Sequence, residues 1–230
     1  MEKKVSAVLV AAGSSTRMGF DKLSFDLGGE TVLHRSIRAF EQCPLVSEIV
    51  LAAGKNRAFV EQQAADCTKP VKIVSGGATR AESARNGVRA AEGDLVAVHD
   101  AARPFVSQAV IAAALEAAAA CGAAAPAVPV KDTIKAAQQG DGRVVPERCT
   151  VQSTPDRSTL YAVQTPQCFF KADYLKARAL CGGEGFTDET ALLEKAGYRV
   201  EYVRCGAENI KLTQESDIPL AEFIAEKYGY

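Results

Sequence analysis

Apolar positions fall into short runs at 5–10, 48–53, 71–74 and 95–99, each rich in Val, Ile, Leu and Ala. Runs of this length, without strict alternation, are expected of strands buried on both faces. Between them the spacing turns helical. Leu33, Ile37 and Phe40 recur at i, i+4 and i+7 within 31–42, and Thr79 followed by Glu82 forms a capping-box signature for a helix reaching residue 91. The Ala-rich stretch 109–130 carries Glu116, Gly122, Pro126 and Pro129, so it is expected to be a helix followed by a strand and not a membrane span. Strands alternating with helices predict an α/β fold with a mainly parallel sheet and helices on both faces. The length of 230 residues suits a single domain, 1–230.

The rhythm breaks between Lys131 and Tyr161. Gln138-Gln139-Gly140-Asp141-Gly142 reads as a turn joining two β-prone arms, 133–135 and 143–145. This predicts a projecting β-arm at about 131–160. An isolated two-stranded hairpin is marginal and presents unprotected edges. Packing against the same arm of a second subunit is the simplest remedy, so a homodimer is expected over an unpartnered surface excursion. Beyond Tyr161 a strand-like start meets Thr165-Pro166-Gln167. Helices near 171–181 and 187–196, strands near 199–204 and 209–212, and a closing helix from Gln214 complete the reading.

Charge narrows the partners. Lys and Arg number 27 against 28 Asp and Glu, for a net charge of −1, and the basic residues are dispersed. Bulk attraction to nucleic acid or to a membrane surface is therefore not expected. Seven cysteines without a C-x-x-C pair, and only two histidines, suit buried thiols in a reducing compartment and argue against a structural zinc site. The apolar run after Lys3 and Lys4 is short for a signal peptide, and a cytoplasmic location is expected.

Two loops carry the candidate chemistry. Ala11-Ala12-Gly13-Ser14-Ser15-Thr16-Arg17-Met18-Gly19, closed by Lys22, follows the first strand. Small side chains there let backbone N–H groups converge on an anion, and Arg17 and Lys22 add full charges suited to a triphosphate. The spacing matches neither G-x-x-x-x-G-K-[ST] nor G-x-G-x-x-G, and an ordinary strand-to-helix turn remains open. His99-Asp100-Ala101-Ala102-Arg103-Pro104 ends the strand at 95–99. A single carboxylate suffices for Mg when substrate phosphates and water complete its shell, so Asp100 is the best metal ligand in the chain, although it could instead cap a turn. His99 is expected to be a packed neighbour and not a ligand. Ligands on open α/β sheets bind beyond the carboxyl ends of the strands, so these two loops should face each other. Gly76-Gly77-Ala78-Thr79-Arg80-Ala81-Glu82-Ser83 offers a second backbone-rich loop at a helix start. Lys131, Thr133, Arg157, Thr165 and Lys211 are the residue types a phosphomonoester requires.

Taken in order, AAGSSTRMG with Lys22, GGATRAES, HDAARP, VKDTIK, Asp156-Arg157, TPQ, TDE and NIKLT resemble the 2-C-methyl-D-erythritol 4-phosphate cytidylyltransferases through nearly the whole chain. The resemblance implies a Rossmann-like nucleotidyltransferase fold, homodimeric through the β-arm, that uses Mg and CTP in the non-mevalonate isoprenoid pathway. It implies that Ala11, Ala12, Gly13, Arg17 and Lys22 hold the triphosphate, with Arg17 and Lys22 at the α-phosphate. Gly77 and Ser83 would contact the cytidine, Ala101 would sit near the ribose and Asp100 would bind Mg. Thr133, Arg157, Thr165 and Lys211 would grip the acceptor phosphate, with Thr133 and Arg157 coming from the neighbouring subunit and Arg103 in support. Lys211 would also serve the nucleotide side. Ala78 departs from the pattern, because some relatives have an aspartate there, which leaves the base contact to backbone or another residue. Two rivals remain: ribitol 5-phosphate cytidylyltransferase, whose members often resemble HDAVRP where this chain has HDAARP, and a catalytically silent nucleotide-binding regulator of the same fold.

Overall fold

A computed structural model describes residues 4–13, 21–137, 149–182 and 185–229. The chain opens with β1 (Val5–Ala11), α1 (Val32–Glu41) and β2 (Glu48–Ala53). There follow α2 (Arg57–Gln63), β3 (Val71–Ser75), α3 (Arg80–Ala90) and β4 (Leu95–Asp100). Next come α4 (Gln108–Cys121) and β5 (Ala123–Pro129), then the short strands β6 (Ala136–Ala137), β7 (Val151–Ser153) and β8 (Tyr161–Val163). The last part holds β9 (Gln167–Phe170), α5 (Lys171–Cys181), α6 (Glu189–Lys195), β10 (Val200–Arg204) and α7 (Ile218–Tyr228). No described helix is long and apolar enough to cross a membrane.

The main sheet runs β10-β5-β9-β4-β1-β2-β3, with β8 attached to β5. The pairs β1–β2, β1–β4, β2–β3 and β5–β10 are parallel, while β9 runs antiparallel between β4 and β5. This is the mostly parallel, helix-covered α/β sheet expected of a Rossmann-like nucleotidyltransferase fold. Period-two alternation sorts the strand residues between two cores. Leu9 and Ala11 of β1, Leu51 of β2 and Ala97 of β4 face one side, against Leu33, Ile37 and Phe40 of α1 and Ile111 and Leu115 of α4. Val8, Val50, Val96 and Val98 face the other, against Ala84 and Val88 of α3, Tyr174 of α5 and Leu192 and Leu193 of α6. A Cβ on Gly87 of α3 would come within 2.3 Å of Val8 Cγ1, so glycine is what allows this helix to lie so close to the sheet.

Three local readings of the sequence need correction. Residues 133–135 do not form a strand; pairing in the arm begins at Ala136–Ala137, which meets Val151–Ser153 with an irregular register. Thr133 and Ile134 are exposed with no neighbouring strand, and β propensity without a partner does not build a ladder. The second arm, 143–145, and the turn at 138–142 lie outside the described residues. Residues 209–212 are also irregular: the Ile210 and Leu212 N–H groups donate to the Glu208 and Ala102 carbonyls, and the Asn209 and Leu212 carbonyls accept from Arg103 and Lys22, so these backbone groups are bonded outside any ladder. Finally, α2 and β9 were not expected.

Candidate active site

The carboxyl ends of β1, β2, β3 and β4 border one pocket of about 670 Å³. It is lined by Ala12, Gly13, Lys22, Gly77, Ser83, Asp100 and Lys211 among others, so the first loop and the end of β4 do face each other. Close approach shapes its floor. A Cβ on Gly76 would lie 2.2 Å from Ala12 Cβ, and one on Gly54 would lie 2.9 Å from the Ala12 carbonyl oxygen, so Ala12 is gripped between the ends of β2 and β3. Asn56 fixes the same corner by accepting from the Gly54 N–H (3.1 Å) and donating to the Ala11 carbonyl (3.1 Å).

The second loop satisfies its own donors. Thr79 caps α3 with Glu82 in a capping box; the Ala78 and Thr79 N–H groups donate to Glu82 Oε2 (2.6 and 3.2 Å), and the Gly77 N–H donates to Ser83 Oγ (3.0 Å). Ser83 Oγ in turn donates to the Thr79 carbonyl (2.9 Å). Gly77 and Ser83 thus line the pocket while holding the loop's shape.

At the centre of the charged floor is Asp100, the last residue of β4 and only 7% exposed. Its Oδ1 accepts from Arg80 Nε at 2.7 Å, and its Oδ2 lies 2.6 Å from Lys211 Nζ. Burial alone would raise this carboxyl, but Arg80 and Lys211 outweigh it and hold the group well below the usual carboxylate range. Arg80 reaches on to Glu189 at the start of α6, with Nη1 at 3.1 and 3.0 Å from its two oxygens. Burial raises Glu189 despite this partner, yet both oxygens accept from Arg80, the geometry of an ionised carboxylate.

Backbone ties place the lysines. Lys22, in a 3-10 turn (Lys22–Ser24), donates to the Leu212 carbonyl at 3.0 Å. The Leu212 N–H donates to the Ala102 carbonyl (2.9 Å), and Arg103 Nη1 donates to the Asn209 carbonyl (2.7 Å). The irregular segment 209–212 is thereby bound across the end of β4, and Lys211 is brought to Asp100.

Other expected site residues stand outside the pocket. Ala11 and Ala101 are fully buried; Ala101 is tied to the Val10 carbonyl and to Ser36, and Ala102 is the neighbour that reaches the lining. Thr165 lies beneath the floor. Its Oγ1 accepts from the Asp100 N–H (3.1 Å) and meets His99 Nδ1 (3.0 Å), while His99 Nε2 lies 3.1 Å from the Arg103 carbonyl. Since a carbonyl can only accept, Nε2 carries the proton and Thr165 donates to Nδ1. His99 is therefore a packed, neutral support, as expected. Thr133 and Arg157 are exposed on the arm, with Arg157 Nη1 donating to the Lys131 carbonyl (2.8 Å). Arg17 lies outside the described residues.

Arg80 and Glu189 were not singled out from the sequence. One signal existed for Arg80: it is the first residue of a helix, where the dipole disfavours a cation, so its presence there called for a compensating pair of anions. Glu189 stood in the sequence only as the last residue of the TDE motif, with no role attached, because an acidic residue at a helix start is unexceptional.

Among the described residues no cluster of three or more His, Cys, Asp and Glu that could hold a metal ion is present; of the two carboxylates lining the pocket, Asp21 accepts from the Leu23 N–H, and Asp100 together with oxygens of a bound ligand makes up a donor set. That donor set fits Mg, which commonly takes one carboxylate together with phosphate oxygens and water. A carboxylate beside two lysines at the carboxyl ends of the strands suits the charge neutralisation that phosphoryl or nucleotidyl transfer requires.

The profile of the 2-C-methyl-D-erythritol 4-phosphate cytidylyltransferase family matches residues 5–227. The chain belongs to this family. It is 39% identical over 233 residues to the 2-C-methyl-D-erythritol 4-phosphate cytidylyltransferase of Caldanaerobacter subterraneus subsp. tengcongensis, a match covering 97% of this chain and 99% of that protein. It is 42% identical to the bifunctional enzyme IspD/IspF of an Anaeromyxobacter species, covering 98% of this chain and 58% of the longer protein. Among solved cytidylyltransferases, the Thermus thermophilus structure is 33% identical with a TM-score of 0.74, covering 98% of this chain and all of that one. The 4-diphosphocytidyl-2C-methyl-D-erythritol synthase of Anaerococcus prevotii is 27% identical with a TM-score of 0.83, covering 98% and 100%.

Proposed function

We propose that the protein is a cytoplasmic, Mg-dependent homodimer that transfers CMP from CTP to 2-C-methyl-D-erythritol 4-phosphate. The products are 4-diphosphocytidyl-2-C-methyl-D-erythritol and pyrophosphate. The observation that carries this reading is the pairing of Asp100 with Arg80 and Lys211, with Lys22 lining the same pocket at the strand ends, in a chain of this family. An oxygen of the acceptor phosphate attacks the α-phosphorus of CTP in line; the bond to the pyrophosphate oxygen breaks, and its electron pair leaves with pyrophosphate. No covalent enzyme intermediate is required, so the protein's work is positioning and charge neutralisation.

In this reading the backbone at Ala11, Ala12 and Gly13 shapes the phosphate cradle and Gly77 and Ser83 shape the cytidine side, with Ala101 and Ala102 below the ribose. Arg17 and Lys22 stabilise charge developing at the α-phosphate. Asp100 would hold Mg, which when bound supplies neutralising charge to the phosphates. Lys211 moves between Asp100 and the acceptor phosphate, Thr165 and Arg103 support the end of β4 beneath them, and Thr133 and Arg157 reach the acceptor from the second subunit's arm.

Pyrophosphate release tests this directly, with CTP, UTP, ATP and GTP paired with methylerythritol phosphate or ribitol 5-phosphate. Turnover is expected with CTP and methylerythritol phosphate. Turnover with ribitol phosphate alone would reassign the acceptor, and nucleotide binding without pyrophosphate would favour a silent regulator. Lys22→Ala is expected to lower kcat about a hundredfold, the scale for losing one preorganised donor, with little change in acceptor KM. A near-native kcat would remove Lys22 from the reaction.

A further inference from the structure

We propose that Arg80 is a positioning residue of this site and that Glu189, which does not line the pocket, acts on the chemistry through it. The inference rests on the cytidylyltransferase reading and extends it to a residue beyond the pocket wall.

The geometry begins with Arg80's cost. It is the first residue of α3, where the helix dipole disfavours a cation, and burial works further against its charge. The position is held because one guanidinium spans two carboxylates from separate elements. Nε faces Asp100 at the end of β4, and Nη1 faces both oxygens of Glu189 at the start of α6. Glu189 is itself fixed: it is 3% exposed and its N–H donates to Gln167 Oε1 at 2.9 Å. Gln167 opens β9, which pairs with β4. A rigid path therefore leads from α6 and β9 to one edge of Asp100.

The two edges of Asp100 are not alike. Both partners line the pocket, but Arg80 is tied through Nε and Nη1 to two carboxylates from separate elements, while Lys211 pairs with Asp100 alone among the described residues. Arrival of phosphates and a divalent cation draws on the Lys211 edge; the Arg80 edge stays. Lys211, Asp100, Arg80 and Glu189 together carry two positive and two negative charges. Glu189 thus cancels the charge with which Arg80 would compete against an incoming cation, and it keeps the guanidinium from swinging into the phosphate cradle. Lysine cannot reproduce this, because a single ammonium lacks the planar fork.

A double-mutant cycle on the full chain tests the proposal, using Arg80→Met, Glu189→Gln and the pair. Two quantities are read: kcat and KM for CTP with methylerythritol phosphate, and affinity for Mn²⁺ in the presence of CTP, from the electron paramagnetic resonance of free Mn²⁺. Each single change is expected to lower kcat by about tenfold, the order expected for one charged hydrogen bond, with a smaller change in KM for CTP. Glu189→Gln is expected to weaken Mn²⁺ binding, and the double variant is expected to match Arg80→Met. Additive losses would mean that Glu189 acts through α6 alone and would overturn the proposal, as would near-native kcat in Arg80→Met. If Glu189→Gln fails to fold by circular dichroism, Glu189→Asp, which withdraws the carboxylate while keeping its charge, must show the same non-additivity. A wild-type protein that releases no pyrophosphate with any acceptor would fail the parent reading instead, and the Mn²⁺ cycle would then decide the ladder alone.

Discussion

Sealed beneath Asp100, His99 is fully buried, and burial lowers its imidazole from an ordinary value of 6.5 to about 4. Between those values the unfolded chain binds a proton that the native state does not, so stability falls as pH falls. The loss at pH 5 relative to pH 7 is about 2 kcal/mol for this group. Asp100, depressed well below its usual range, loses its contribution only in more acidic solution. Urea unfolding of wild type and His99→Asn in metal-free buffer is expected to show a difference in stability that narrows from pH 7 to pH 5. A constant difference would mean that His99 protonates equally in both states. At this scale Asp100 was legible at the end of an apolar strand and Lys22 as the charge closing a loop of small residues, while Lys211 came forward through the NIKLT motif of the family resemblance and not through the strand expected at 209–212. It did not announce the ladder through Arg80 and Glu189, which depends on α3 and α6 meeting from positions 109 residues apart.

The elements follow from apolar spacing where burial enforces it. The expected strands at 48–53 and 95–99 and the capped helix from Thr79 are present within a residue or so. The pattern misled in two places: exposed 133–135 has no partner strand, and the backbone at 209–212 is bonded to Glu208, Ala102 and the Arg103 and Lys22 side chains instead of to a strand. The strand β9 was hidden because its four residues are short and run directly into α5. One close contact between elements carries a prediction. Gly76→Ala forces a methyl against Ala12 Cβ, and overpacking of this kind costs about 1–3 kcal/mol. The variant is expected to unfold at lower urea and to bind CTP more weakly. Adding Ala12→Gly removes the opposing methyl and should recover most of both losses; no recovery would locate the defect in the backbone of the β3 loop.

For the whole molecule, the role proposed for the arm sets how many chains make a site. Thr133 and Arg157 are exposed and do not line the pocket of their own chain, so their proposed role requires a second copy. A mixed dimer of Lys22→Ala and Arg157→Ala chains distinguishes the arrangements, once subunit exchange is demonstrated by tag co-purification. With the arm in trans, one site collects both defects and the other none, and activity returns above that of either parent. Mixing that restores nothing would place Arg157 in its own chain. A different consequence follows from β9, which lies between β4 and β5 although the arm separates it from both in sequence. During synthesis the first hundred residues hold β1 through β4, yet the free edge of β4 stays open until residue 170 has left the ribosome. The nascent chain therefore presents an unpaired sheet edge, carrying the end of β4 where Asp100 sits, for about seventy residues of translation.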